Sequence, residues 1–199
     1  MSAADVIIVG AGITGAVAAH TLAEAGARVL VLDAYRPAAM ASGWTLAGVR
    51  QSGRDQAELP LAREAVRRWP DLADALGAPT HYRQDGNLRL ARTPAEVEVI
   101  AALVESQRAA GLDLTFLPDN GAVRSVAPEI SETVLAASHC PTDGHADPVA
   151  TVAAFLAAAQ RRGAQVACGA RVLGLMRKGD RVAGVRTATE EMSAGAVLL

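Results

Sequence analysis

Three glycines in the run VIIVGAGITGA, from Val6 to Ala16, stand directly after β-branched residues and open an apolar stretch. Gly10, Gly12 and Gly15 have the spacing GxGxxG, with Ala11, Ile13 and Thr14 between them. Such a loop suits an anion. The first glycine permits a tight turn, the second lets a pyrophosphate touch the backbone, and the third lets a helix pack closely on a sheet. Free N–H groups at the helix start, with the partial positive charge of its dipole, then face the phosphates. Asp33 follows about 20 residues downstream, where an acidic side chain accepts hydrogen bonds from ribose hydroxyls.

The elements around these residues have the required order. Asp5–Val9 reads as a short buried parallel strand. The glycine loop then leads into a helix to about Ala25, with Gly26 as its stop, and ARVLVLD is the second strand. Ala16, Ala19 and Leu22 fall on the sheet-facing side of the helix. This βαβ order predicts a dinucleotide site; a glycine turn serving only helix–strand packing is the simpler alternative.

No Ser-His-Asp, Cys-His or paired-carboxylate set is legible. His20, His81, His139 and His145 lack zinc-like spacing, so no metal is expected. His20 sits inside the first helix as a structural residue. His145, in DGHADP, either faces a pocket or simply occupies a turn. Cys140 and Cys168 are far apart and read as reduced, buried small side chains. With aromatics at only 3%, Ala, Val and Leu must pack the core. A net charge of −2 with mixed signs gives no basic face, which argues against nucleic acid. The N-terminal apolar run lacks a basic flank and is interrupted by Gly10, Gly12, Gly15 and His20, so neither a signal peptide nor a membrane span is expected. A cytoplasmic location is the expectation.

In the middle of the chain, 58–76 reads as a helix with a break or kink at Pro70. Leu59, Ala62, Ala65, Val66 and Trp69 share one face, which makes Trp69 a core residue. YRQDGNLRLA reads as a hairpin around Asp85-Gly86. The clearest helix is TPAEVEVIAALVESQRAAG, with Thr93 as cap, Pro94 at N1, Glu96 completing a capping box and Gly111 at its end. DLTFLP reads as a strand and DNGAVRSVAPEI as a turn and short helix. Asp147-Pro148 opens another helix, and a turn at Lys178-Gly179-Asp180 separates later strands. SAGAVLL reads as a further buried parallel strand. No internal repeat is present.

NAD and FAD share the βαβ fingerprint, so the residues after it must decide between them. The long small-residue stretch YRPAAMASGWTLAGVRQSGRD replaces the second βαβ unit expected of an NAD domain. Together with GNLRLA, DGHADPVATVAAF and GARVLGL, the N-terminal segment resembles the D-amino-acid oxidase family of FAD enzymes, near its glycine oxidase, sarcosine oxidase, and hydroxyproline or opine dehydrogenase members.

The resemblance implies an α/β fold: a Rossmann-like FAD-binding domain with an interleaved α+β substrate domain, truncated at the C-terminus. It would divide as 1–80 (FAD-binding), 81–145 (substrate) and 146–199 (FAD-binding, incomplete), and the chain would be an N-terminal half. Asp33, with Ala34 beside it, takes the ribose role, where the family more often has the longer Glu. Ala41 and Ser42 lie by the pyrophosphate. Leu46, Ala47 and Gly48 pass the isoalloxazine, and the Val172 backbone lies against adenine. Trp44, an unexpected residue there, either stacks near the ring or fills a core.

The implied activity is oxidation of a small, secondary amino acid by hydride transfer to flavin N5, giving an imine that water hydrolyses. The flavin is the electron sink, so the protein mainly orients the substrate. A bidentate cation for its carboxylate is then needed, and Arg50, directly after the flavin loop, is the candidate. A partner subunit or separate electron acceptor would complete the system. Two other readings remain at this point: a non-catalytic nucleotide-binding or partner subunit, and an NAD-dependent dehydrogenase.

Overall fold

The structure, a computed structural model, describes residues 4–199. The first elements are β1 (Ala4–Val9), α1 (Ile13–Glu24), β2 (Val29–Asp33), β3 (Gly48–Val49) and α2 (Leu59–Leu76). Next come β4 (Asn87–Ala91), α3 (Pro94–Ala109), β5 (Thr115–Leu117), α4 (Asn120–Val126), β6 (Ala136–Cys140) and β7 (Gly144–His145). The chain continues through α5 (Pro148–Arg161), β8 (Gln165–Cys168), β9 (Gly174–Lys178), β10 (Arg181–Arg186) and β11 (Glu191–Leu198).

Two units emerge. The first holds the described residues through Ala47, with Asp71–His81 and Asp147–Leu199; the second holds Gly48–Pro70 and Tyr82–Ala146. Residues 48–70 therefore group with the middle of the chain rather than with the N-terminal segment. The cause is pairing and packing: β3 pairs with β7, and Leu59 of α2 packs with Ile100 and Val104 of α3.

In the first unit the strand order is β8-β2-β1-β11-β10-β9. β1 is parallel to both β2 and β11, and β8 is parallel to β2. Ile8, Val29 and Val31 pack on one side against Ala16, Ala19 and Ala23 of α1 and Val152, Leu156 and Ala159 of α5. Ile7 and Leu32 pack in a separate cluster with Val185 of β10. Residues of β1 and β2 thus meet packing on both faces, which is why their sequences run apolar without alternation. Alanine on α1 lets that helix lie close to the strands. β11 is parallel to β1 as expected, but its residues alternate between half-buried and exposed rather than lying buried.

α2 runs unbroken through Pro70. A proline inside a helix removes one hydrogen bond and costs about 3 kcal/mol. Packing on both sides of it offsets that loss: Leu59 and Val66 before it and Leu76 after it are all nearly fully buried. Leu76 and Leu72 pack with Ala154 and Ala158 of α5, and the Leu76 carbonyl accepts a hydrogen bond from Arg161.

The second unit is built on an antiparallel sheet of order β4-β6-β5. Residues of α3 pack with Ala91, Ala136 and Cys140 of this sheet, while Val123 of α4 packs with Leu117 and Ala137. The expected hairpin around Asp85-Gly86 is not formed. Gly86 does turn the chain at φ +85°, but β4 pairs with β6 and Arg83 forms an isolated bridge with His145. Local turn signals marked the bend and not the partner. The capping box of α3 is complete: Thr93 Oγ1 accepts from the Glu96 N–H, and Glu96 accepts from the Thr93 N–H. Asp147 caps α5 by accepting from the Ala150 N–H, with Pro148 in the first turn. No helix among the described residues is long and apolar enough to cross a membrane.

Candidate functional site

The glycine loop leaves β1 and enters α1 with each glycine under a different constraint. Gly10 has φ +115°, a conformation that side chains disfavour. A Cβ on Gly15 would lie 2.0 Å from the Gly10 carbonyl oxygen, so only glycine fits there. A Cβ on Gly12 would lie 2.8 Å from Ser42 Oγ. Gly12 is also the N-cap of α1 and offers no side chain to cap it. The Ser42 hydroxyl accepts from the Ile13 N–H at 3.0 Å, which brings residue 42 against the helix start. Ser42 and the three glycines line one small cavity of about 210 Å³, together with Thr14 and Leu198.

Asp33 closes the other side of the loop. Its Oδ2 accepts from the Ala11 N–H at 2.6 Å, and its Oδ1 from the Tyr35 N–H at 2.7 Å. The Ala38 N–H donates back to the Ala11 carbonyl at 3.1 Å. The Asp33 carbonyl accepts from the Ala170 N–H at 2.8 Å, which carries the segment holding Val172 to the end of β2. The Val172 side chain packs with Ile7 and Leu32. The first unit therefore brings together Gly10, Ala11, Gly12, Ile13, Thr14, Gly15, Asp33 and Ser42, and ties the Val172 segment to them. Ala34 follows Asp33 directly, and Ala41 is exposed beside Ser42.

One pair escaped the sequence reading. Arg171 donates to the Tyr35 hydroxyl at 2.8 Å, and its guanidinium carbon lies 5.6 Å from the centre of that ring. Nothing in the sequence joins positions 35 and 171; the Ala170–Asp33 bond does.

A cradle of this kind is shaped for a dinucleotide diphosphate: a positive-φ glycine, a glycine without room for Cβ, a helix start whose N-cap carries no side chain, and an acid at the strand end. The residues present therefore fit FAD. The family model described as "FAD dependent oxidoreductase" (DAO) matches residues 5–199. The chain belongs to this family. It is 27% identical over 199 residues to human mitochondrial dimethylglycine dehydrogenase, covering 98% of this chain and 23% of that protein. It is 26% identical to sarcosine oxidase subunit beta of Arthrobacter sp, covering 98% of this chain and 50% of that one. The structure is similar to glycine oxidase from Bacillus cereus, with a TM-score of 0.88 at 29% identity over 98% of this chain and 55% of that chain. The chain thus spans between about a quarter and about half the length of these relatives.

The remaining residues of this DAO-family chain divide between the two units. Trp44 is 74% exposed and fills no core among the described residues. Leu46 is exposed, and Ala47 has φ +47°. Gly48 opens the second unit, where it sits directly opposite His145 across β3 and β7. His145 is exposed and belongs to a strand rather than a turn. Arg50, also exposed, donates from Nη1 to the Ser52 carbonyl at 3.0 Å. With Val49, Leu61, Val66 and Trp69 it lines a cavity of about 440 Å³. Trp69 packs with Val49, Val66 and Ala146, and its ring centre is 5.4 Å from that of Tyr82. His20 lies against Phe155 in the first unit. Cys140 is buried, and burial raises its thiol pKa. Cys168, by contrast, is exposed rather than buried, at the end of β8. Among the described residues no cluster of ligating side chains could hold a metal.

Asp33→Ala removes two acceptors from loop N–H groups and the acid expected to meet the ribose. FAD affinity is expected to fall by about 1.5–3 kcal/mol, the value of hydrogen bonds to a charged group. Titration of the apoprotein with FAD, followed by quenching of flavin fluorescence, measures it. Unchanged affinity would confine Asp33 to closing the loop.

Proposed function

We propose that this chain forms the FAD-binding and substrate-facing part of an oxidoreductase acting on a small, secondary amino acid. The observation that carries the FAD assignment is the closed loop: three glycines at the start of α1, joined to Asp33 through the Ala11 N–H. Gly10, Gly12, Gly15 and Ser42 would hold the pyrophosphate, Asp33 with Ala34 the ribose, and Val172 the adenine. Leu46, Ala47 and Gly48 would pass the flavin ring. Bound FAD supplies the electron sink for oxidising a carbon–nitrogen bond. The chain's own work is then to bind and orient the amine, with Arg50 taking its carboxylate in a bidentate pair.

A small amino acid is supported by relatives whose names refer to dimethylglycine and glycine, and a secondary one by those named for sarcosine and proline. A visible spectrum of the full-length protein tests the proposal. Flavin bands that bleach anaerobically on addition of sarcosine or proline support it; a colourless protein that binds NADH overturns it. A second reading, a subunit working with partner chains, is favoured by two relatives named as subunits, of sarcosine oxidase and of opine oxidase. Association of the purified protein with co-expressed neighbours would decide that point.

Arg50→Lys keeps the charge and loses the planar fork. Its kcat/KM for amine oxidation is expected to fall about tenfold or more, with flavin content unchanged. Wild-type efficiency would remove Arg50 from the substrate site. Loss of flavin would make it a cofactor or fold residue.

A further inference from the structure

Arg50 does not stand alone. A Cβ placed on Gly53 would lie 3.2 Å from Nη1 of Arg89 and 3.3 Å from Nη1 of Arg50, so both guanidinium ends border the same small space. Arg89 comes from β4, where it is cross-strand from Ser138, and Arg50 from the segment after β3. Neither has a carboxylate within 4 Å among the described residues. Two like charges brought to one place without a counter-ion repel each other. A folded chain gains from that arrangement when an anion sits there.

The space between them is built rather than accidental. Gly53 adopts φ +65°, and its N–H donates to Oε1 of Gln107 at 2.9 Å. Gln107, 5% exposed, donates in turn from Nε2 to the Arg54 carbonyl at 3.1 Å. Ser52 on the other side is held by Asp143. The backbone between the two arginines is thus pinned from both ends, and a side chain at position 53 would intrude between them. Glycine at position 53 leaves open the space that the two guanidinium ends border.

We infer that Arg50 and Arg89 together receive a substrate with two carboxylates: a secondary amine whose side chain carries a second acidic group. This rests on the reading of Arg50 as the carboxylate-binding residue of an amine oxidoreductase and specifies the substrate class of that site. One guanidinium takes each carboxylate, each with paired N–H donors. Discrimination against a substrate lacking the second carboxylate follows, since Arg89 then stays unpaired beside Arg50.

The test compares N-methylaspartate with N-methylalanine, which differ by that one carboxylate. Binding of each to the full-length, flavin-loaded protein is measured by calorimetry, and anaerobic flavin bleaching is followed separately. The wild type is expected to bind N-methylaspartate about thirtyfold more tightly, the size of one charge-assisted bidentate pair. In Arg89→Gln that ratio should fall to near one, and in Arg89→Lys to an intermediate value. Arg89 is exposed, so both variants should fold; melting curves check this, and either variant alone supports the comparison. Equal binding of the two amines by the wild type, or an unchanged ratio in the variants, overturns the inference. Inorganic phosphate that displaces N-methylaspartate at equal concentration overturns it too, as a nonspecific anion patch. Selective binding without bleaching would leave the dicarboxylate site standing and sink the oxidation reading. Bleaching by both amines with equal affinity would do the reverse.

Discussion

Gly15→Ala is expected to destabilise the first unit by on the order of 3 kcal/mol and to abolish FAD binding, although it adds a single methyl group. The new Cβ would meet the Gly10 carbonyl oxygen at 2.0 Å and its carbonyl carbon at 3.1 Å, with the Ile8 side chain at 3.3 Å. Backbone cannot swing aside as a side-chain tip can. Either α1 must lift from β1 or the turn at Gly10 must open, and overpacking of this kind costs about 1–3 kcal/mol before the loop distorts. Gly12→Ala is the instructive comparison. Its methyl would meet only the Ser42 side chain, whose hydroxyl can rotate away at the loss of its bond from the Ile13 N–H, so stability should fall by only about 1 kcal/mol. The methyl would still stand where the pyrophosphate must approach, so affinity should fall while the fold remains. Chemical denaturation and FAD titration of both variants separate the two glycines. A stable Gly15→Ala protein that binds flavin normally would show that the helix start can move, and would remove packing as the reason for that glycine.

The turn at Gly10 and the close packing at Gly15 were legible from the sequence because both are local. Strand, turn, helix and second strand follow within residues 5–33, and the acid ends the second strand. The capping residues Thr93, Glu96 and Asp147 announced their helices for the same reason, since each acts within a few positions of itself. Arg50 could be proposed only through its place after the flavin loop in the family pattern.

Long-range pairing was not legible. GNLRLA has strand character, yet nothing within it says that its partner is Ala136–Cys140 rather than the residues just before it. Pro70 carried a correct local rule, overridden by leucines buried on either side of it. Arg89 looks like an ordinary outward residue of a strand, and only the fold brings it to Gly53. DGHADP drew attention to His145, whereas the residue most deeply buried in that run is Asp143, whose partners are some 90 positions earlier in the chain.

Asp143→Ala should be the most damaging single change in the second unit. The carboxylate is fully buried. Its Oδ1 accepts from the Gln51 N–H at 2.8 Å, and its Oδ2 from the Ser52 N–H at 3.3 Å and the Ser52 hydroxyl at 2.5 Å. Gln51 reinforces the link by donating to Thr142 Oγ1 at 2.8 Å. Removing the carboxylate strands two backbone donors and a hydroxyl away from water, which costs roughly 3–5 kcal/mol allowing for partial relaxation. Asp143→Asn keeps the shape but turns one acceptor into a donor, so it should cost less. Ser52→Ala loses a single bond and should cost about 1 kcal/mol. Urea midpoints at constant m-value would give that order. The consequence for function comes from position: residues 51 and 52 directly follow Arg50, so the carboxylate fixes the backbone from which the guanidinium reaches. Asp143→Asn, where folded, should weaken binding of carboxylate-bearing amines while flavin content stays at the wild-type level. An Asp143→Ala protein within about 1 kcal/mol of wild type would mean that water or the neighbouring loop replaces the carboxylate, and Arg50 would then need another anchor.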